Sequence, residues 1–360
     1  MKSSKSRCSF FIGCTLSLLV SCTTAANDNG EDYFPISQNG KIGFIDKTGK
    51  IVISPQFDGS LTADVTFSEG LAAVRVGDKW GYIDKAAKFV IEPRFKQRFA
   101  PSLFHEGLAQ VEIREDVYGF IDKSGEFVKP LKFIEEWTDF NEGLARVKKG
   151  DKFGYVDKTG RFVIEPRFAA AEDFKEGLAA VKVEVKVEDA SESKFGYIDK
   201  TGKVVIEPQF GQAQSFSEGL AAIYIEYKAG YIDKTGKVVI PLQFDHAFPF
   251  SEGLAKVAIG DKAGFIDTKG KMVISPQFDY TGFGNNANYR GFKEGLSVEE
   301  LNKKVGYIDK TGKMIIAPQY DYASEFHSGL AEVSIGWEPT TQKRYYIDKT
   351  GKIIWEQKSN

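Results

Sequence analysis

Lysine, threonine and glycine stand together six times in this 360-residue chain, starting at Lys47, Lys158, Lys200, Lys234, Lys310 and Lys349. Ser191-x-x-Lys194 and Ser37-x-Asn39 occur as well. The three strings are those of a serine acyl-transfer site, in which a lysine helps activate a hydroxyl nucleophile. Their placement argues against that chemistry. The nucleophile motif should open a helix, whereas Ser191 falls in a polar insert between strand-like segments. Ser37-Gln38-Asn39 also precedes it instead of following. A Lys-Thr-Gly written six times reads as a turn.

Other chemistries find as little to use. His105, His246 and His327 are far apart, and no metal-ligand spacing links them. His105 and His327 share one repeat slot, filled elsewhere by Ser68, Asn141 or Lys175, so that slot reads as exposed. The recurring hairpin aspartates lack the further carboxylates of a calcium loop. Glu69, Glu106, Glu142, Glu176, Glu218, Glu252 and Glu294 each precede a glycine, with Ser328 in the eighth place. They read as turn residues with solvated carboxylates, or else as an acidic stripe attractive to cations and basic partners. A glycosidase needs only two carboxylates at the right separation, but carboxylates recur in every repeat and none stands out. The expectation is a non-enzyme with no metal and no cofactor.

The elements that position these residues follow one period. Asp46, Asp84, Asp122, Asp157, Asp199, Asp233, Asp267, Asp309 and Asp348 align, with spacings of 38, 38, 35, 42, 34, 34, 42 and 39 residues. A period in this range marks a repeat architecture. Each unit carries three strand-like segments, exemplified by residues 71–76, 79–83 and 88–92. Asp-Lys-Thr-Gly between the second and third is hairpin-turn chemistry, with aspartate bonding its own following backbone and glycine accepting positive φ. Pro-x-Phe, as at Pro208-Gln209-Phe210, should end the third strand, because proline removes a ladder donor. Phe-x-Glu-Gly-Leu then turns the chain into the next unit. No segment has a convincing helical period, so the expected fold is all-β: about nine three-stranded antiparallel meanders over residues 33–360. Nine uninterrupted modules favour an open superhelical array over a closed β-propeller, which usually has four to eight blades.

These residues resemble the WG-repeat (KWG-repeat) family, whose pattern runs Lys-Trp-Gly-Tyr-Ile-Asp-Lys-x-Gly, a β-branched strand, Pro, an aromatic and Glu-Gly-Leu. The resemblance covers residues 33 to 358 and implies a bacterial protein with, in most members, no assigned activity. The namesake tryptophan is present only as Trp80; Ile42, Tyr118, Phe153, Phe195, Ala229, Ala263 and Val305 fill the slot elsewhere. The slot therefore reads as packing. The motif supplies no catalytic residue to carry over.

The N-terminus gives an address. Lys2, Lys5 and Arg7 precede a mostly apolar run from Ser9 to Val20, too short to span a bilayer, so residues 1–21 read as a signal peptide. Leu19-Val20-Ser21-Cys22 resembles a bacterial lipobox, which implies acylation of Cys22, the one cysteine left in the mature chain. Residues 22–32 are small and polar, as befits a flexible tether. Two or three acyl chains would anchor the protein stably. Thr23 is not the aspartate that retains many such proteins at the inner membrane, which favours the outer membrane or cell surface. Losing the leader removes three positive charges and no negative ones, taking the net charge from −2 to −5. That excess of acid argues against nucleic acid as a partner.

Insertions are the places to look for recognition. In residues 280–291, Tyr280, Phe283, Asn286, Tyr289 and Arg290 could stack on and hydrogen-bond a sugar or peptide. Residues 184–194 are charged and Ser-rich and read as a solvated hairpin extension. The functional expectation is a lipid-anchored, non-catalytic scaffold for a protein or glycan partner. The alternatives are a spacer lipoprotein and, further off, an envelope hydrolase.

Overall fold

The structure is a computed structural model that describes residues 32–59, 65–97, 100–114, 117–128, 136–187, 190–280, 291–337 and 342–357. Cys22 and the rest of the leader and tether lie outside these residues. Among the described residues every regular element is a strand, and the strands form small antiparallel sheets in tandem. Among the described residues no helix is long and apolar enough to cross a membrane. Units are numbered 1 to 9 by their hairpin aspartates.

Unit 5 shows the plan. Leu178–Val187 pairs antiparallel with Ala190–Asp199, which pairs in turn with Val204–Phe210. A two-residue strand, Ala170–Ala171, adds to the other side of the first. Units 4, 6, 7 and 9 repeat this four-stranded form. The tandem β array therefore stands, with one short strand more in these five units than the sequence pattern suggests. The 184–194 insert is a hairpin extension, paired from Glu184↔Ser193 to Val187↔Ala190.

The third strand departs from expectation. It does not stop at proline: Val204–Phe210 runs through Pro208, and Phe89–Phe95 runs through Pro93. This strand is the outer edge of its sheet, where a missing N–H costs no ladder bond. The register also slips between Phe195 and Tyr197 of the facing strand, a bulge that carries the proline across the backbone of Gly196.

The burial pattern places the core between units. Along the third strand Ile206 and Phe210 are buried while their neighbours are exposed or half-buried. They cluster with Tyr197 of the same unit and with Phe216, Ala221, Ile223 and Ile232 of unit 6. The Tyr197 and Phe216 rings meet edge-on at 4.9 Å, and Tyr197 Oη donates to Gln214 O at 2.7 Å. One such shared cluster sits at each junction, as a unit too small to bury its own faces requires.

The two ends of the array also meet. Phe34, Ile36 and Ile45 of unit 1 pack with Leu330 and Tyr346 of unit 9. Tyr346 Oη donates to Pro35 O at 2.9 Å, the bond that Tyr307 makes to Ser324 O between units 8 and 9. Ser37 N donates to Gln357 Oε1 at 3.0 Å. These are side-chain contacts. Among the described residues no hydrogen-bonded ladder joins the last sheet to the first, so the described sheets do not run together into a barrel.

Candidate functional site

The repeated polar residues are the natural place to look for chemistry, and two kinds of turn hold them. In Asp-Lys-Thr-Gly, Asp46 Oδ1 accepts from Thr48 N, Thr48 Oγ1 and Lys50 N at 2.9, 2.6 and 3.1 Å. Gly49 closes the turn at φ +85°, with its N–H on Asp46 O. The Thr48 hydroxyl bond, with the two N–H bonds, holds Asp46 below its ordinary pKa. The same three bonds recur at Asp157, Asp199, Asp233, Asp309 and Asp348, for instance Thr201 N, Thr201 Oγ1 and Lys203 N on Asp199. Lys-Thr-Gly is thus a turn, and its threonine caps the aspartate.

The second turn is Glu-Gly. His105 and Leu108 exchange backbone bonds across Glu106 and Gly107, and both central residues have positive φ, +51° and +87°. That is the two-residue hairpin loop, for which asparagine is the usual first residue. Glutamate takes the strained position in seven copies, and its side chain supplies the reason. Glu142 accepts Gly177 N at 3.0 Å and Lys200 Nζ at 3.0 Å, both from the next unit. Lys200 Nζ also reaches Glu142 O at 3.0 Å. Glu69 with Lys123, Glu106 with Lys158, Glu176 with Lys234, Glu252 with Lys310 and Glu294 with Lys349 repeat the clamp at 3.0–3.1 Å. Glu218 keeps the bond to Gly253 N, while Thr268 stands in the lysine slot of unit 7. The expectation of solvated carboxylates is therefore corrected. Burial pushes Glu142 up, but the Lys200 and Gly177 bonds outweigh it and leave the carboxyl below its ordinary value. Glu294 behaves likewise.

A third set was missed. Asp58 Oδ1 takes Lys41 Nζ of its own unit at 2.5 Å, and Oδ2 takes Gly77 N, at the hairpin tip of the next unit, at 2.7 Å. Asp245, Asp279 and Asp321 do the same with Gly260, Asn302 and Gly336. The signal was present, because an aspartate follows Gln-Phe or Gln-Tyr at each of these four places. It fell one residue beyond the motif considered.

The other candidates are placed as follows. The slot shared by His105 and His327 is exposed at His327, whose Nε2 lies 3.2 Å from Asp32, but half-buried at His105, whose Nε2 lies 3.5 Å from Asp139 of the next unit. Burial raises Asp139, and His105 opposes the rise. Asp173 accepts from Thr138 Oγ1 at 2.8 Å and lies 3.6 Å from Arg146 Nε. Trp80 is buried, with Nε1 donating to Gln97 O, so the namesake slot packs. Tyr280 is 8% exposed and lies against His246 and Phe248 at 4.9 and 6.2 Å, at the root of the 280–291 insertion. Phe283, Asn286, Tyr289 and Arg290 lie outside the described residues. Among the described residues no group of three or more His, Cys, Asp or Glu is placed to hold a metal ion.

The chain resembles solved structures at low sequence identity. The chain is similar to a eukaryotic initiation factor (11% identity, 91% of this chain and 96% of that one, TM-score 0.61). Weaker likenesses are Saccharomyces cerevisiae Sqt1 (11%, 78% and 91%, TM-score 0.41) and Kluyveromyces lactis Hsv2p (8%, 79% and 94%, TM-score 0.35). At 11% identity the likeness to the initiation factor is one of fold alone. No curated protein matches the sequence. The WG containing repeat matches at 42–80, 80–115, 118–153, 153–184, 195–228, 230–262, 264–298 and 306–336, and the chain belongs to that family.

Proposed function

We propose that this protein is a lipid-tethered scaffold of the bacterial cell envelope that captures a protein or glycan partner and carries out no catalysis itself. The observation behind this reading is how the recurring chemistry-bearing side chains are used. Its lysines and glutamates bridge units, and its aspartates and threonines close turns. A repeat whose polar residues hold the array together leaves recognition to the insertions. The 280–291 insertion has the richest recognition chemistry, and Tyr280 roots it on a packed aromatic base. Cys22 carries the lipid, and residues 22–32 give the array reach from the outer membrane or cell surface.

Two experiments test this. Cys22→Ser should abolish acylation and move the protein from the membrane fraction to the soluble one. Retention of the mutant in the membrane, or no labelled fatty acid on the wild type, would contradict the anchor. The second compares capture of envelope proteins and cell-wall glycan by wild type and by Phe283→Ala/Tyr289→Ala. The double mutant should lose the partner with its melting temperature nearly unchanged, since exposed-loop changes cost under about 0.5 kcal/mol. Identical profiles would remove the loop as the site, and two empty profiles would favour a spacer.

A further inference from the structure

The junction between units 7 and 8 is built differently from its neighbours. In the first strand of units 2 to 7 and 9, which opens on Leu, the second residue is alanine and the fourth valine or isoleucine; unit 8 differs. There they are Ser297 and Glu299, both 1% exposed. At the 2/3, 5/6, 6/7 and 8/9 junctions the third residue of one unit shares a core cluster with the fourth of the next, as Ala180 does with Ile223 and Ala222 with Val257. At junction 7/8 that contact is Lys256 Nζ to Glu299 Oε1 at 2.9 Å, with Lys256 2% exposed. Ser297 Oγ donates to Glu299 Oε1 at 2.8 Å, and the Lys256 ammonium lies 5.7 Å from the Phe265 ring centroid. Ser297 and Glu299 replace the usual apolar pair, and Lys256 and Ser297 both satisfy the Glu299 carboxylate.

We infer that Lys256 and Glu299 form a pairing lock that admits unit 8, and no other unit, beside unit 7. Among the fourth residues of units 2 to 9 only Glu299 offers Lys256 a carboxylate, and neither Ala180 nor Ala222 offers Glu299 a cation. Packed against the face of unit 5 or 6, Glu299 would meet Ala180 or Ala222; opposite any other fourth residue, Lys256 would meet valine or isoleucine. Either misassembly buries an uncompensated charge. The array needs such discrimination because its units are close copies: Gly-Tyr-Ile-Asp-Lys-Thr-Gly-Lys stands in units 5, 6 and 8 alike. The lock also sits where the chain constrains order least. Sixteen residues separate Asp279 from Leu296, against nine between Phe244 and Leu254 at the preceding junction. A longer connection lowers the effective concentration of the correct neighbour.

The test separates order from stability. Lys256→Ala/Glu299→Val installs the residue pair of the neighbouring junctions, and should fold at least as stably as wild type, because buried pairs replaced by fitting apolar residues often lose nothing. It should refold from denaturant unfaithfully. Size exclusion should find new oligomers, and hydrogen exchange should find altered protection in units 6 to 8, while wild type returns to its starting distribution. Glu299→Val alone should lower the melting temperature by several degrees by stranding Lys256. Faithful refolding of the double variant would overturn the inference. So would its failure to fold, since the pair would then supply stability instead of order, and so would a Glu299→Val variant that melts like wild type.

Discussion

Gly196 illustrates how much of the motif is backbone geometry. A methyl group there would lie 2.5 Å from Ile206 O and 2.8 Å from Pro208 N, because the bulged third strand crosses directly over it. Gly154, Gly230, Gly264 and Gly306 are equally confined. Gly196→Ala should therefore cost about 2–3 kcal/mol through overpacking against backbone that cannot turn away. Gly253 makes the contrast, with open space around it and φ +86°. Its alanine variant should lose only the left-handed strain, about 1–2 kcal/mol. Urea denaturation of the two variants checks the order, and a smaller loss at Gly196 would contradict the bulge. Neither reason was legible in the sequence. Gly-Tyr recurs visibly, but the strand that forbids a side chain lies ten residues on, and its bulge is a property of the paired sheet.

The turns divide into what local sequence can and cannot reveal. Asp-Lys-Thr-Gly was readable because its aspartate bonds residues two and four positions away. Glu-Gly was not, because Glu142 finds its partners 35 and 58 residues on, in another unit. Proline misled for a related reason: its effect depends on whether the strand has a neighbour on that side. The clamps also set an acid response. Glu142 and Glu294 are held below their ordinary value, so the stability they contribute is complete above about pH 4.3, the unfolded value. It is lost as the pH falls through the lower folded value. Denaturation midpoints from pH 7 to 3 should show that decline, and Glu142→Gln should make it shallower. An unchanged slope in the mutant would remove this clamp as a source.

At the scale of the whole molecule, the period and strand pattern made the tandem β array legible from residue 33 onward. The meeting of its ends was not. Unit 1 lacks a Glu-Gly-Leu opening, and the contact joins residues about 311 positions apart through side chains. Ser328 replaces the clamp glutamate there and bonds Asp32 instead. Tyr346→Phe should lose about 1 kcal/mol by leaving Pro35 O without its donor, and hydrogen exchange should speed up in both unit 1 and unit 9. Faster exchange confined to unit 9 would contradict the contact. The recurring lysine and glutamate hold neighbouring units together. A double-mutant cycle on Glu142→Gln and Lys200→Met, read by chemical denaturation, tests it most directly. The two side chains are 32% and 44% exposed, so the coupling should be modest, about 0.5–1 kcal/mol, and smaller at high salt. Two single losses that simply add, to within about 0.3 kcal/mol, would mean that the motif is not a clamp.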